Sequence, residues 1–340
     1  MAAFALIGYG QWGRHHARAI EHSGGNTLHA IACASAQTAE LARADFPGVA
    51  VFTDAAAAIA QAGVDAVAVV TPNHLHLPIA LQALAAGKHV LLEKPMALAD
   101  EDIARLRAAE RASGCCVSVV HQFRLSTLWG GIKASIEAGE IGVPRYANVS
   151  LFRFPYRAGS GGWRYRRDCV GSWLLEETVH FFDMLLWYFA SLGPPTSVSA
   201  AAGGVAERPG LHEHSSAVLR WRDGALATVT QTLGGFQNHH VIEVVGSDGS
   251  LRGWWSGASD RTPHPRFELW RQRAGASTAE QVAIGPCGEV VELAATYAAI
   301  DAAFAARKPL VGTAEAAQAT RLCLAAQRAA DSGETVALAY

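Results

Sequence analysis

Residues Phe4 to Ile20 read F-A-L-I-G-Y-G-Q-W-G-R-H-H-A-R-A-I: an apolar run, glycines at 8, 10 and 13, then a segment suited to a helix. G-x-G-x-x-G alone constrains little, because glycine is common. A strand before it and a helix after it change that. Gly8 then serves the tight turn, Gly10 lets backbone approach a pyrophosphate, and Gly13 lets the helix lie close to the sheet, with the free N–H groups of its first turn facing phosphate. The plain alternative is a glycine turn with no ligand. The context, a strand–turn–helix–strand unit closing near residue 33, favours dinucleotide binding.

The following hundred residues repeat that rhythm. Apolar runs at Ala3–Ile7, Leu28–Cys33, Asp65–Val70, His89–Leu92 and Cys116–Val120 read as strands, and helical patterns fill 13–23, 36–45, 54–62, 75–86 and 99–113. Strands apolar on both faces, each followed by a helix, predict a doubly wound parallel sheet with right-handed crossovers. Beyond residue 144 the pattern changes to alternation. Ser215–Trp221 and Ala225–Leu233 flank Asp223-Gly224, and Val241–Val245 precedes Asp248-Gly249, both hairpin signals. Helical patterns at 289–305 and 314–331 end the chain. The fold class is α/β, a Rossmann domain at 1–122 followed by an α+β domain at 123–340 with a large, mostly antiparallel sheet, the last helix packing back on the first domain. No Ser/Gly-rich linker separates the halves, so a close interdomain cleft is expected.

Composition serves mainly to exclude. At 340 residues the chain carries about two domains, and half of its residues are apolar. No stretch approaches ~18 uninterrupted apolar residues, and the first residues lack the basic-then-apolar pattern of a leader. The reading is a soluble, cytoplasmic protein with no membrane partner. A formal charge of −2 with interspersed signs gives nothing to attract nucleic acid. Six cysteines at 33, 115, 116, 169, 287 and 323 show no C-x-x-C spacing and are expected to stay reduced. Fourteen histidines include the pairs His15-His16 and His239-His240, but neither has metal-ligand spacing, so no metal site is assigned.

Cofactor choice is made after the second strand. An NAD-preferring fold commonly carries Asp or Glu ~20 residues beyond the glycines, on the ribose 2′-hydroxyl. Here the chain reads I-A-C-A-S-A-Q-T, with Ser35, Gln37 and Thr38 and no carboxylate before Glu40. Without that charge a 2′-phosphate is not repelled, and hydroxyl and amide groups can bond to it. NADP is favoured over NAD, with Arg14 and Arg43 as the available positive charges.

Three more stretches complete a pattern: V-V-T-P-N-H-L-H at 69–76, A-G-K-H-V-L-L-E-K-P at 86–95, and G-G-W-R-Y-R-R-D-C-V-G-S-W-L-L-E-E-T-V-H-F-F-D at 161–183. With the glycine loop, they resemble the glucose-fructose oxidoreductase/inositol dehydrogenase/MocA family over essentially the whole chain. The resemblance implies an NAD(P)-dependent oxidoreductase acting on a sugar, cyclitol or related polyol. It implies that Lys94 touches the reacting hydroxyl or carbonyl, where position alone suggests a solvated lysine. Pro95 is a candidate for a cis peptide. The implied cofactor set is Gly8, Gly10, Gln11, Trp12, Gly13, Ser35, Thr71, Pro72, Asn73, His76, Glu93, Lys94, Gln122 and Arg164. Asn73 also suits a helix cap, Trp163-Arg164 matches a family pair that closes over the cofactor, and Gln122 and Arg124 sit at the domain junction.

The remaining chemistry is placed on a helix beginning near Gly171. The intrinsic pKa of histidine suits His180 to moving the alcohol proton, and Glu176, four residues earlier, shares its face and can orient the imidazole or hold a neighbouring substrate hydroxyl. Glu177, turned by about 100°, is expected to matter little. Asp183 is left without a role. The family pattern D-x-G-x-H is altered here: Glu176 replaces the aspartate and Thr178 the glycine, which changes the pocket and its substrate. A cofactor-binding regulator without turnover and an NAD-dependent glycoside hydrolase of the same fold are the alternatives. S-adenosylmethionine on the glycine loop would leave the E-K-P and His180 segments unexplained. Family analogy adds a homodimer or homotetramer formed through the exposed face of the second sheet.

Overall fold

The computed structural model describes residues 1–340 apart from Ala206, Phe236 and Tyr340. Six strands come first: β1 (Ala2–Ile7), β2 (Asn26–Ala32), β3 (Ala50–Phe52), β4 (Ala66–Val69), β5 (His89–Leu92) and β6 (Val117–Val119). All pair in parallel in the order β3-β2-β1-β4-β5-β6. Between them run α1 (Gln11–His22), α2 (Ala36–Asp45), α3 (Ala55–Ile59), α4 (His76–Ala85) and α5 (Asp100–Ser113). Residue alternation divides each strand between two cores. Ala5, Ile7, Val67, Val69, Val90 and Leu92 enter one core with Leu77 and Ile103, while Phe4, Leu6, Ala66, Ala68 and Leu91 enter the other with Ile20. The strand order reverses between β1 and β4, the switch point at which ligands bind in such sheets.

The expected strands and helices are found, with ends shifted by up to three residues, as in α3, which stops at Ile59. Missing from the sequence reading was β3, whose three partly exposed residues at the sheet edge are too few to show a period.

The chain continues through α6 (Trp129–Glu137), β7 (Pro144–Phe152), α7 (Arg167–Val170), α8 (Val179–Tyr188), β8 (Ser197–Gly203), β9 (His214–Arg220), β10 (Leu226–Thr232), β11 (Asn238–Gly246), β12 (Gly249–Gly257), β13 (Arg266–Arg273) and β14 (Glu280–Val282). It ends with α9 (Glu289–Ala305), α10 (Thr313–Ser332) and β15 (Val336–Ala337). A second sheet has the order β14-β13-β12-β11-β7-β10-β9-β8-β15 and is antiparallel except between β7 and β10. Both hairpins fall at the expected dipeptides: Leu226 pairs with Arg220 across Asp223-Gly224, and Val245 with Ser250 across Asp248-Gly249.

Packing divides the chain into two compact units: residues 1–122, 160–171 and 293–317 in the first, 123–159, 172–292 and 318–340 in the second. Leu293, Tyr297 and Phe304 of α9 and Ala316 and Ala317 of α10 join the cores of the first unit. No helix among the described residues is long and apolar enough to cross a membrane.

Candidate active site

In the first unit the loops after β1, β4 and β5 lie side by side at the carboxyl edge of the sheet. Gly8 adopts φ +105°, and a Cβ there would collide with the Val70 carbonyl oxygen; a Cβ on Gly13 would collide with the carbonyl of Gly8. At Gly10 a Cβ would meet nothing within 4 Å. The first and third glycines are thus required by packing, while the second leaves open space at the start of α1. Gly10 is the N-cap of that helix and brings no side-chain cap, so the first-turn N–H groups remain for an anion. Two further atoms fit a polar ligand group. The Thr71 hydroxyl and the Gln122 amide oxygen are buried without a hydrogen-bond partner among the described residues. The residues present therefore suit a dinucleotide.

Gln11 is the exposed first residue of α1. Ser35 caps α2, its Oγ accepting from the Thr38 N–H at 3.2 Å while the Thr38 hydroxyl donates to the Ser35 carbonyl at 3.0 Å. Arg14 is committed to Asp45 at 2.9 Å, a carboxylate that also accepts from Tyr9 at 2.7 Å. Arg43, the other cation near this turn, forms no such ion pair among the described residues. Its charge lies near Cys33 at the end of β2, where burial raises the thiol pKa and the Thr38 hydrogen bond and Arg43 oppose that rise.

The loop after β4 is tied down by its own side chains. Both ring nitrogens of buried His76 face carbonyl oxygens, that of Pro95 at 2.8 Å and that of Thr71 at 2.9 Å. His76 thus joins the Thr71-Pro72 turn to the E-K-P turn, where the Lys94–Pro95 peptide is cis. Asn73 is not the cap of α4, which begins after Leu75. Its amide donates instead to the Val170 carbonyl at 3.1 Å, at the end of α7. On the segment before α7, the Arg164 guanidinium lies 4.4 Å over the Trp163 ring.

Glu93 is buried and Lys94 half-buried. The Glu93 carboxylate accepts from Trp12 Nε1 at 2.8 Å and lies 3.0 Å from His16 Nε2. His16 is no metal candidate by its spacing, yet it has a partner in the core. Its signal lay in the helical period: Gly13, His16, Ala17 and Ile20 form the buried stripe of α1.

The second unit carries the other candidates, and here the expected helix differs. Residues Leu174–Thr178 form a π-helical turn, closed by the Val179 N–H donating to the Leu174 carbonyl, before α8 begins. Turning by less than 100° per residue, it does not put Glu177 on a solvent face. Glu176, Glu177, Thr178 and His180 are all buried, at 6%, 6%, 1% and 3% exposure. Glu177 thereby has a structural part that its angle to Glu176 on a regular helix did not suggest. Its carboxylate pairs with buried Arg153 at 2.9 Å, and Arg153 also reaches Asp260 at 3.4 Å. Nearby, burial together with the charges of Asp260 and Glu177 pushes the Glu289 carboxyl up to about 8.

His180 packs against Phe123, ring centroids 4.7 Å apart. Phe123 precedes Arg124, which grips Asp183 with Nε at 2.8 Å and Nη2 at 2.7 Å. Asp183 thereby acquires a structural partner, a bidentate pair that anchors α8 one turn beyond His180. The Thr178 hydroxyl donates to Gln231 on β10, so this buried side chain is tied to the sheet by a hydrogen bond. Neither Arg153 nor Gln231 was signalled by local sequence, and Arg124 was placed only at the domain junction, because each acts across more than twenty residues of chain.

Comparison with known proteins agrees with this architecture. The family described as an oxidoreductase family with an NAD-binding Rossmann fold matches residues 2–121, and the GFO/IDH/MocA C-terminal domain matches residues 130–252. The chain is 29% identical over 238 residues to 1,5-anhydro-D-fructose reductase of Ensifer adhaerens, covering 69% of this chain and 70% of that protein. It is 27% identical over 278 residues to inositol 2-dehydrogenase 4 of Saccharopolyspora erythraea, covering 77% and 80%. Among solved structures, the WlbA dehydrogenase of Bordetella pertussis in complex with NADH and UDP-GlcNAcA superposes with a TM-score of 0.82 at 25% identity, over 100% of this chain and 99% of that one.

Proposed function

The chain belongs to the Gfo/Idh/MocA oxidoreductase family, and on that premise we propose that it moves a hydride between NAD(P) and a sugar, cyclitol or related polyol or keto-sugar. The observation that carries the reading is the gathering of the glycine loop, the Thr71-Pro72-Asn73 loop and the Glu93-Lys94 turn at one switch point. Bound nicotinamide supplies the hydride acceptor or donor. Gly8, Gly10, Gly13 and the N–H groups of α1 hold the pyrophosphate, with Gln11 and Trp12 beside them and Arg164 adding charge. Thr71, Pro72, Asn73 and Gln122 line the nicotinamide ribose, with His76 and Glu93 holding their turns in place.

Lys94 donates to the reacting oxygen, and His180 takes the alcohol proton in oxidation and returns it in reduction, a step worth ~10²–10⁴-fold. Glu176 orients the imidazole or holds a neighbouring hydroxyl. The first unit serves the cofactor and the second the substrate. NADP is the preferred form, because Ser35, Gln37 and Thr38 stand where an acidic residue would repel the 2′-phosphate. The named activities of the two relatives support the polyol class. We further propose a cytoplasmic homo-oligomer, its subunits meeting on the outer face of the second sheet, where Tyr146, Phe152 and Val245 are about two-fifths exposed.

A screen of sugars, inositols and keto-sugars with NAD, NADP and their reduced forms, followed by nicotinamide absorbance, tests the reading. A substrate-dependent change is expected. Cofactor binding with no turnover on any of them would point to the regulator, and hydrolysis without net reduction to the glycosidase.

A further inference from the structure

The carboxylate of Glu93 is a hub. Its Oε1 accepts from Trp12 Nε1 at 2.8 Å and meets His16 Nε2 at 3.0 Å, and its Oε2 accepts from the backbone N–H of Lys94 at 3.2 Å. His16 is fully buried, and its other ring nitrogen lies 2.8 Å from the hydroxyl of Tyr297, a fully buried residue of α9. A line of side chains thus runs from Tyr297 through His16 to Glu93 and ends on the main chain of Lys94. The His16 ring is also held edge-on, at 88° to Tyr297 and 83° to Trp12.

Apolar side chains would cover the sheet here at a smaller desolvation cost, as Ala17 and Ile20 do on the same stripe of α1. The polar line provides what they lack, directional bonds that converge on one turn. Burial by itself would raise the Glu93 pKa; the hydrogen bond and charge of His16, with Lys94 and Trp12, outweigh it and hold the carboxyl below its usual range. The hub is therefore anionic and depends on its donors.

We propose that His16 and Tyr297 are positioning residues for Lys94, acting through Glu93 to fix the turn from which the ammonium reaches the reacting oxygen. The inference rests on the assignment of Lys94 to the reaction.

The chain has four lysines, at 88, 94, 133 and 308. Reductive methylation of the whole protein with 13C-formaldehyde therefore gives few signals besides that of the amino terminus, and Lys94→Arg identifies the one from Lys94. Tyr297→Phe, which keeps the ring, and His16→Gln are each expected to shift the Lys94 signal and leave the other three in place. An unmoved Lys94 signal in both overturns the proposal.

Kinetics on a substrate from the screen supply the second arm. Tyr297→Phe is expected to lower kcat about three- to tenfold, the rate equivalent of one hydrogen bond, with the cofactor Kd unchanged. In a Lys94→Met background it should add nothing to the loss. An additive loss marks a structural role and overturns the proposal. Full activity in Lys94→Met removes the lysine from the reaction and the inference with it, a result distinct from an essential lysine indifferent to His16 and Tyr297.

Discussion

The glycine loop after β1 and the turn carrying Glu176, Glu177 and His180 both place chemistry at the start of a helix, but different forces shape them. At Gly8 the conformation is local. With φ at +105° and a carbonyl where a Cβ would stand, only glycine fits, so the residue type itself reports the structure. At 174–178 nothing local demands a π-helical turn. Its side chains are satisfied from elsewhere: Glu177 by Arg153 on the segment after β7, Thr178 by Gln231 on β10. Geometry imposed by backbone sterics is written in the adjacent residues, whereas geometry supported by distant partners is not.

The largest expected effects test whether the two regions serve one reaction. His180→Ala is expected to lower kcat by at least ~100-fold with cofactor affinity nearly intact, as loss of a proton carrier should. Lys94→Ala should match it and weaken substrate binding as well. Steady-state kinetics alongside a cofactor titration read both quantities. Full activity in either variant would separate that region from the chemistry.

A smaller effect sharpens the contrast between the two neighbouring carboxylates. Glu177→Gln leaves the Arg153 guanidinium buried with Asp260 at 3.4 Å as its remaining ion pair among the described residues, and breaking a buried pair costs about 3–5 kcal/mol. The second contact places the expected loss at the low end, read as a fall in the denaturant midpoint. Glu176→Gln should show a loss of turnover milder than that of His180→Ala, since orientation is disturbed without removing the acid–base group. Equal losses of turnover at 176 and 177 would mean that the π-helical turn presents both to the substrate.

Legibility followed the same division within each unit. The sheet, its crossovers and both hairpins were readable because apolar period and turn residues act over a few positions. The Thr71-Pro72 and Glu93-Lys94 turns were found by their motifs, but the motifs did not say how they are held. His76 bonded to two carbonyls and His16 bonded to Glu93 and Tyr297 are facts of the packed core. Tyr297 lies 281 residues from His16, and no spacing rule reaches that far.

The smallest expected effect falls on the side of the comparison where local rules hold. Ser35 caps α2 through its Oγ, and aspartate caps a helix as well as serine does. Ser35→Asp should therefore preserve the fold while placing a negative charge at the end of β2, so that any change in cofactor preference reports charge rather than damage. If Ser35 faces the 2′ position, the ratio of NADPH to NADH affinity should fall at least tenfold, ~1.4 kcal/mol, in fluorescence titrations of the two cofactors. Arg14, held by Asp45, is not available to compensate. An unchanged ratio with an intact melting temperature would show that discrimination lies elsewhere, with Arg43 the next residue to replace.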